Sequence, residues 1–465
     1  MSNSLALSIF LLAFFASVTF NGFFRNIAKK NKILIDIPDR ARRFHPRATP
    51  MTGGIGIFFS ILVSGLLLTG FTDARYSVNL NSGFLENTPL NDGSISKNFE
   101  VDNEDYSLSL KQNGSEGNVS VKIDSLNGES NDNAATVNIF PLTNNRFKVV
   151  LPNGEEKFYL NNKGKISELS SQDNIVIQTF SPESTDQDRI NLDNFSISLY
   201  ICALFIMIFM IFDDSYDIKA SYRLIFQSLV VLLMIAMTDE KISGVGNLLG
   251  FGDINLGILS IPFTVFCVVG LMNAFNMIDG LNGICASFAL IPILFVAFFG
   301  NFSYGLLIPI GAIVGFLAYN LGYLGKKRRV FLGDSGSNML GFAVAFICIE
   351  YSQNINHLSH INPVTALWLV AIPLIDCISV LISRVIKGIM PFKAGRDHLH
   401  HKIFDLGIKP KKILFIFIIL SLLFALIGYY LENNFPNKEY ISFYAFAVLS
   451  AFYYLISKTR LEKNV

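Results

Sequence analysis

Five polar segments carry side chains suited to holding a phosphate or a cation. Asp213 and Asp214 are adjacent in FDDSYDIKASYR, and Arg223 follows nine residues after the second. Adjacent carboxylates at the edge of an apolar run repel each other, and they become useful when a cation or a phosphate-bound metal sits beside them. In NAFNMIDGLNG (273–283), Asn273, Asn276, Asp279 and Asn282 recur every third residue, which on a helix keeps them near one face. Their oxygens suit a hard cation, and Gly280 and Gly283 let the backbone approach a ligand. In FLGDSGSNMLG (331–341), Asp334 sits in a Gly/Ser turn before an apolar run. Such a helix start favours anions, and the Asp can instead hold a metal. FKAGRDHLHHKIF (392–404) gathers Arg396, Asp397, His398, His400 and His401. Contact with a diphosphate is the favoured reading, and a zinc site on His398 and His401 is the weaker one, since no cysteine or acid stands at the right spacing. DIPDRARRFHPRATPMTGG (36–54) adds Arg40, Arg42, Arg43, His45 and Arg47 between turn-forming Pro and Gly. Taken singly, each segment also reads as a capped helix end or a topology signal.

The elements that must position these residues are apolar helices. The chain has 465 residues, 51% of them hydrophobic, with 43 Phe and a mean hydropathy of +0.45. A soluble domain has nowhere to put that much apolar surface, whereas a bilayer does. Eleven spans are expected at 5–24, 54–71, 195–212, 222–237, 258–272, 284–299, 304–323, 339–351, 363–382, 413–431 and 440–457. Spans 258–272 and 339–351 are short, so their helices should run on into the polar motifs beside them. Of the 37 Lys and Arg, 25 lie in alternate segments assigned to the inside, two (Lys241 and Lys438) in outer loops, and ten in 72–194. That bias predicts an outside N-terminus and an inside C-terminus, with all five motifs inside. The first span lacks a basic start, which argues against a cleaved signal peptide. The five cysteines, all in or against spans, read as packing residues.

Residues 72–194 break the pattern. They are rich in Asn, Asp, Ser and Gly, with ten basic and nineteen acidic residues. Arg146–Leu151, Asn153-Gly154 and Glu156–Leu160 read as a hairpin, and Tyr106–Leu110 and Asn118–Ile123 alternate in the same way. The expectation is an all-α polytopic membrane protein with an inserted β-rich extracytoplasmic domain at 72–194. Residues 1–71 and 195–465 supply the spans and the inner loops.

The motifs DIP…RRFH…P..GG, FDDSYDIKASYR, NAFNMIDGLNG and FLGDSGS, with Asp376 and Arg384 leading into PFKAGRDHLHH, resemble the polyprenyl-phosphate N-acetylhexosamine-1-phosphate transferases. The chain is most similar to their WecA-like bacterial branch, and more distantly to the phospho-MurNAc-pentapeptide transferases. The likeness spans nearly everything outside 72–194. It departs at Asn282, where many bacterial members carry Asp.

The resemblance implies an enzyme of the bacterial inner membrane with its active site in the cytoplasm. It would move N-acetylhexosamine-1-phosphate, GlcNAc first in expectation, from a UDP-sugar to undecaprenyl phosphate and release UMP. Mg²⁺ is the implied cofactor, with Mn²⁺ possible. By the same resemblance Asp213 and Asp214 are the catalytic carboxylates, and Asn276 and Asp334 contact the metal. Phe331 stacks on uracil, Asp279 and Asn282 lie near the nucleotide-sugar, and Arg396, His398, His400 and His401 lie near its diphosphate. Arg223, Arg43 and His45 are candidates for the lipid phosphate. Membrane lipids are partners and nucleic acid is not; a homodimer is possible, and the partner of 72–194 is left open. Two alternatives remain: the same chemistry on UDP-GalNAc, a deoxy-N-acetyl sugar or a MurNAc-pentapeptide donor, and a transporter for a polar or lipid-linked substrate. A transporter would keep ionisable groups near the midplane, where Asp376 is the one clear acid, eight residues from a potential partner in Arg384.

Overall fold

The long apolar runs fold as helices. The computed structural model describes residues 3–37, 47–70, 94–101, 104–113, 118–125, 137–141, 146–150, 156–162, 165–169, 194–216, 218–299, 304–353, 361–390, 395, 397–435 and 438–459. By contact the chain divides into Met1–Asp73 with Arg189–Val465, and Ala74–Asp188.

In the larger unit the first eight expected spans each coincide with one helix. They are α1 (Asn3–Asn31), α2 (Gly53–Gly70), α3 (Asn194–Tyr216), α4 (Ala220–Thr238), α5 (Ser260–Ile278), α6 (Ile284–Phe299), α7 (Leu307–Asn320) and α8 (Gly333–Gln353). The two short spans do continue into their motifs, since α5 runs to Ile278 and α8 begins at Gly333. The ninth span is different. It is two helices, α9 (Pro363–Leu369) and α10 (Ala371–Ile386), bent by 80° at Val370. Pro373 has no N–H to donate back to Leu369, so the helical ladder is interrupted where the chain turns. A short α11 (Leu399–Asp405) follows, then α12 (Pro410–Asn434) and α13 (Glu439–Thr459).

Exposure shows what these helices face. On α3 the exposed residues before the acid pair are Ile197, Ile201, Leu204, Phe205, Ile208 and Phe212, an apolar stripe at helical spacing. A water-facing helix would carry polar residues there. Six described helices, or seven with α9–α10 counted as one, are long and apolar enough to cross a membrane, while α2, α6 and α7 are shorter apolar helices. The chain is a multi-pass helical membrane protein.

α8 lies at the centre, packed against α2, α3, α5, α6 and α9. Its polar first turns are buried, with Ser335, Ser337 and Asn338 fully enclosed. That position explains how a helix opening GDSGSN can sit inside an apolar bundle: its polar groups meet other polar groups rather than lipid.

The smaller unit holds, among the described residues, an antiparallel meander whose strands pair in chain order. Its strands are β3 (Ser94–Val101), β4 (Glu104–Asn113), β5 (Asn118–Ser125), β6 (Val137–Pro141), β7 (Arg146–Val150), β8 (Glu156–Asn162) and β9 (Lys165–Leu169). β7 and β8 pair from Arg146 opposite Leu160 to Val150 opposite Glu156. The Asn153-Gly154 turn lies outside the described residues.

Candidate active site

Five helix ends supply the site. The first anchor is a backbone seam. A two-residue strand β1 (Ile35–Asp36) pairs antiparallel with β2 (Thr49–Pro50). The chain then pairs with the approach to α8: Phe331 N–H donates to Pro50 O at 2.8 Å, Gly53 N–H to Phe331 O at 2.9 Å, and Gly54 N–H to Leu332 O at 3.0 Å. α2 and α8 therefore start side by side. A Cβ on Gly54 would overlap the Cα and N of Gly336, so only glycine permits this approach. The seam also fixes Phe331, whose side chain is half-buried.

The second anchor is the α3–α4 hairpin. Phe209 stacks on Phe226 with centroids 3.9 Å apart, which brings the end of α3 beside the start of α4. Arg223 Nη1 then lies 3.0 Å from Asp213 Oδ2 and 3.8 Å from Asp334 Oδ2. The backbone N–H of Ile218 donates to Asp213 Oδ1 at 3.0 Å. Asp213 is thus buried and engaged at both oxygens. Asp214 points the other way, with its carboxylate meeting the backbone N–H groups of Asp334 and Ser335 at the start of α8. Its Oδ2 is buried with no hydrogen-bond partner. The left-handed turn at Gly333 (φ +77°) aims Asp334 into the same space.

α5 supplies the third wall. Ser337 Oγ lies 3.4 Å from Asn276 Oδ1, which places Asn276 beside the first turn of α8. The expected helical face from Asn273 to Asn282 is corrected here. Helix α5 ends at Ile278, so Asn273 and Asn276 are helical, while Asp279 caps the end and Asn282 lies in the turn before Gly283. Asn273 faces inward instead, through a chain of amides that sequence reading missed. Asn273 Nδ2 donates to Gln227 Oε1 at 2.9 Å, Gln227 Nε2 to Asn338 Oδ1 at 2.7 Å, and Asn338 Nδ2 to Asp334 O at 2.8 Å. Gln227 and Asn338 each use both ends, as buried amides must. The chain ties α4, α5 and α8 together directly beneath Asp334. Only the odd presence of Gln227 in an apolar run could have signalled it.

Asp279 faces the same region. Loss of water, and then the nearby Asp334 carboxylate, pushes its carboxyl up to about 7. Near neutral pH it can therefore hold or release a proton.

The histidines close the site from the far side. A Cβ on Gly280 would overlap Nε2 of His400 and stand 3.0 Å from the His401 ring. His400 and His401 have centroids 4.1 Å apart, and His398 lies 5.7 Å from His400. The structure thus brings Asp213, Asp214, Arg223, Asn276, Asp279, Asp334 and the three histidines into one continuous set of contacting segments. Arg43, His45 and Arg396 lie outside the described residues.

Two expectations need correction. Asp376 does not pair with Arg384. Its oxygens take His398 Nδ1 at 2.7 Å, the Leu399 N–H at 3.0 Å and the Tyr453 hydroxyl at 2.8 Å, while Arg384 Nε donates to Asp397 at 3.0 Å. Pairing through helix packing was the sequence reading, but the return of the chain after α10 brings Asp376 these partners instead. The weaker zinc reading also finds no support: among the described residues no three His, Cys, Asp or Glu side chains form a group able to hold a metal.

Two comparisons with known proteins bear on this site. The family model described as glycosyl transferase family 4 matches residues 196–352. Undecaprenyl-phosphate alpha-N-acetylglucosaminyl 1-phosphate transferase of Escherichia coli K12 is 34% identical over 265 residues, covering 55% of this chain and 71% of that protein. Proteins of the same name from Haemophilus influenzae and Yersinia pestis are both 35% identical; the first covers 55% of this chain and 73% of its own length, the second 50% and 64%. The matched family segment contains the acid pair, the 273–283 motif and Asp334.

Proposed function

The chain belongs to glycosyl transferase family 4, and on that footing we propose that it transfers GlcNAc-1-phosphate from UDP-GlcNAc to undecaprenyl phosphate and releases UMP. One observation carries the reading: Arg223 reaches both Asp213 and Asp334, so the acid motifs of α3 and α8 open on a single space. The relatives, named for this reaction, supply the substrates. The site we place at the cytoplasmic face of the bacterial inner membrane. Eleven crossings with an outside N-terminus put all five helix ends there, and the 25 basic residues of the inner segments support that sense. The same topology puts 72–194 outside.

A divalent cation fits the residues present. Hard oxygens converge from Asp334, Asn276 and Asp214, and the orphaned Oδ2 of Asp214 is a buried acceptor in want of a positive partner. We assign Mg²⁺ to Asp334 and Asn276, with Asp214 beside them. When bound, Mg²⁺ neutralises charge on the donor diphosphate. The rest falls to the chain itself. An oxygen of the lipid phosphate attacks the sugar-bearing phosphorus, forming one P–O bond as the bond to UMP breaks. Arg223 pairs with Asp213 at 3.0 Å and would meet a lipid phosphate at headgroup depth. His400 and His401 are assigned to the donor diphosphate, with Arg396 joining them on its sequence motif alone, and their role would be to stabilise the leaving phosphate of UMP. Asp279, Asn282 and Phe331 orient the nucleotide-sugar.

A phosphate monoester has a second pKa of about 6 and is mostly dianionic at pH 7. The nucleophile has little need of a base. Asp213 is already engaged by Arg223 and Ile218, which leaves Asp214 to position the lipid phosphate or the cation. Asp214→Asn should therefore lose rate by a similar factor at every pH from 6 to 9. Recovery of most of the rate at high pH would make Asp214 a base and contradict the positioning role.

The substrate test is direct. Purified protein is given undecaprenyl phosphate, Mg²⁺ and in turn UDP-GlcNAc, UDP-GalNAc and a UDP-deoxy-N-acetyl sugar, and UMP release is followed. The expected order has UDP-GlcNAc highest in kcat/KM. A higher value for another donor would reassign the sugar, and absence of UMP with all three would refute the reaction.

A further inference from the structure

We propose that Asp376 and Tyr453 are positioning residues for His398, so that the last helix of the chain takes part in setting the donor-facing histidine motif. The inference rests on the transferase reading above and extends it to residues that touch no substrate.

Asp376 is 2% exposed and His398 3% exposed. Oδ2 of Asp376 lies 2.7 Å from His398 Nδ1. Oδ1 accepts from the Leu399 N–H at 3.0 Å and from the Tyr453 hydroxyl at 2.8 Å. The carboxylate thus has an acceptor bond to each of three donors, from the histidine turn, α11 and α13. An ionised carboxylate can only accept, so the hydrogen on that edge of the imidazole belongs to Nδ1. Nε2 is then the one ring nitrogen left to present elsewhere. His398 in turn stands 5.7 Å from the His400 ring, and His400 lies against Gly280 of the α5 turn. A shift of the His398 ring is passed to the pair facing the donor. Tyr453 fixes the rotation of Asp376, because without that bond Oδ1 keeps only the Leu399 amide.

A merely structural tie would cost stability without changing how His398 works. Tyr453→Phe keeps the ring packing and removes only the hydroxyl. Combined with His398→Ala, it makes a double-mutant cycle read by UMP release at saturating UDP-GlcNAc. With His398 in place, Tyr453→Phe should lower kcat about tenfold, as expected for one lost bond to a charged group. In the His398→Ala background the same change should have less than about a twofold effect. KM for undecaprenyl phosphate should not move. Equal losses in both backgrounds, or no loss in either, would overturn the inference. Asp376→Asn should give a larger loss with the same dependence on His398. If that variant does not accumulate, the Tyr453 cycle decides alone. A second readout does not depend on the assigned reaction. Nitrogen-15 spectra of the histidine-labelled wild type should place a hydrogen on Nδ1 of His398. A neutral ring protonated on Nε2 alone would overturn the proposal even if the protein proved inactive, whereas inactivity with the expected tautomer would count only against the transferase reading.

Discussion

Asp334→Asn should lower kcat about a thousandfold and leave the protein folded. The change keeps shape and volume, so the seam between Gly53, Gly54 and the 331–332 segment, built from backbone atoms, stays in place. The amide chain below uses the Asp334 carbonyl rather than its carboxylate, so it survives too. The loss is one negative charge on a side chain that is 40% exposed toward the shared space. Under the proposed Mg²⁺ assignment, a site that binds a divalent cation beside a diphosphate cannot spare it. The check is the rate across a Mg²⁺ titration, with the melting temperature measured in parallel. Activity within tenfold of wild type would remove Asp334 from the metal and with it the proposed division of roles. The buried neighbour Asp213 makes a poorer probe, because its replacement also breaks the shorter of the two Arg223 ion pairs and confounds folding with chemistry.

Gly280→Ala should cost about a hundredfold in kcat/KM for the UDP-sugar. The added methyl meets Nε2 of His400 and the ring of His401, not backbone. The histidine pair must move by something near an ångström, and misplacement of that order is expensive in a site built on alignment. Gly270, on the helix that leads into this turn, provides the control, since a Cβ there meets nothing within 4 Å. Gly270→Ala should keep wild-type kinetics. If Gly280→Ala were equally silent, the α5 turn would not abut the histidines as described.

Much of this arrangement was legible in the sequence because it is local. An apolar run of span length, a Gly before an Asp at a helix start and a triplet of histidines in four positions each leave a trace within ten residues. Hence the expectation that spans 258–272 and 339–351 run on as helix into the polar motifs beside them agrees with α5 and α8. What sequence could not show is long-range. Gln227 bonds to Asn338, 111 residues away, and Tyr453 to Asp376, 77 residues away. Neither pair has a periodicity to reveal it. The mistaken Asp376–Arg384 pairing has the same root. Eight residues along a helix span about 12 Å, so that pairing would have needed help from the packing of another helix, but the chain doubles back after α10 and offers Asp376 a histidine, an amide and a tyrosine instead. The even spacing of Asn273, Asn276, Asp279 and Asn282 misled for another reason. It was read as one helical face, yet Asp279–Gly283 leaves the helix so that Gly280 can meet the histidines.

The most direct measurement is isotope exchange. One diphosphate linkage is made for each one broken, so the equilibrium should lie near unity and the reaction should run backward from UMP. Labelled UMP incubated with the purified protein, UDP-GlcNAc and undecaprenyl phosphate should move its label into UDP-GlcNAc, and the movement should stop when either Mg²⁺ or the lipid is withheld. No exchange with all components present would contradict the proposed chemistry of the shared site.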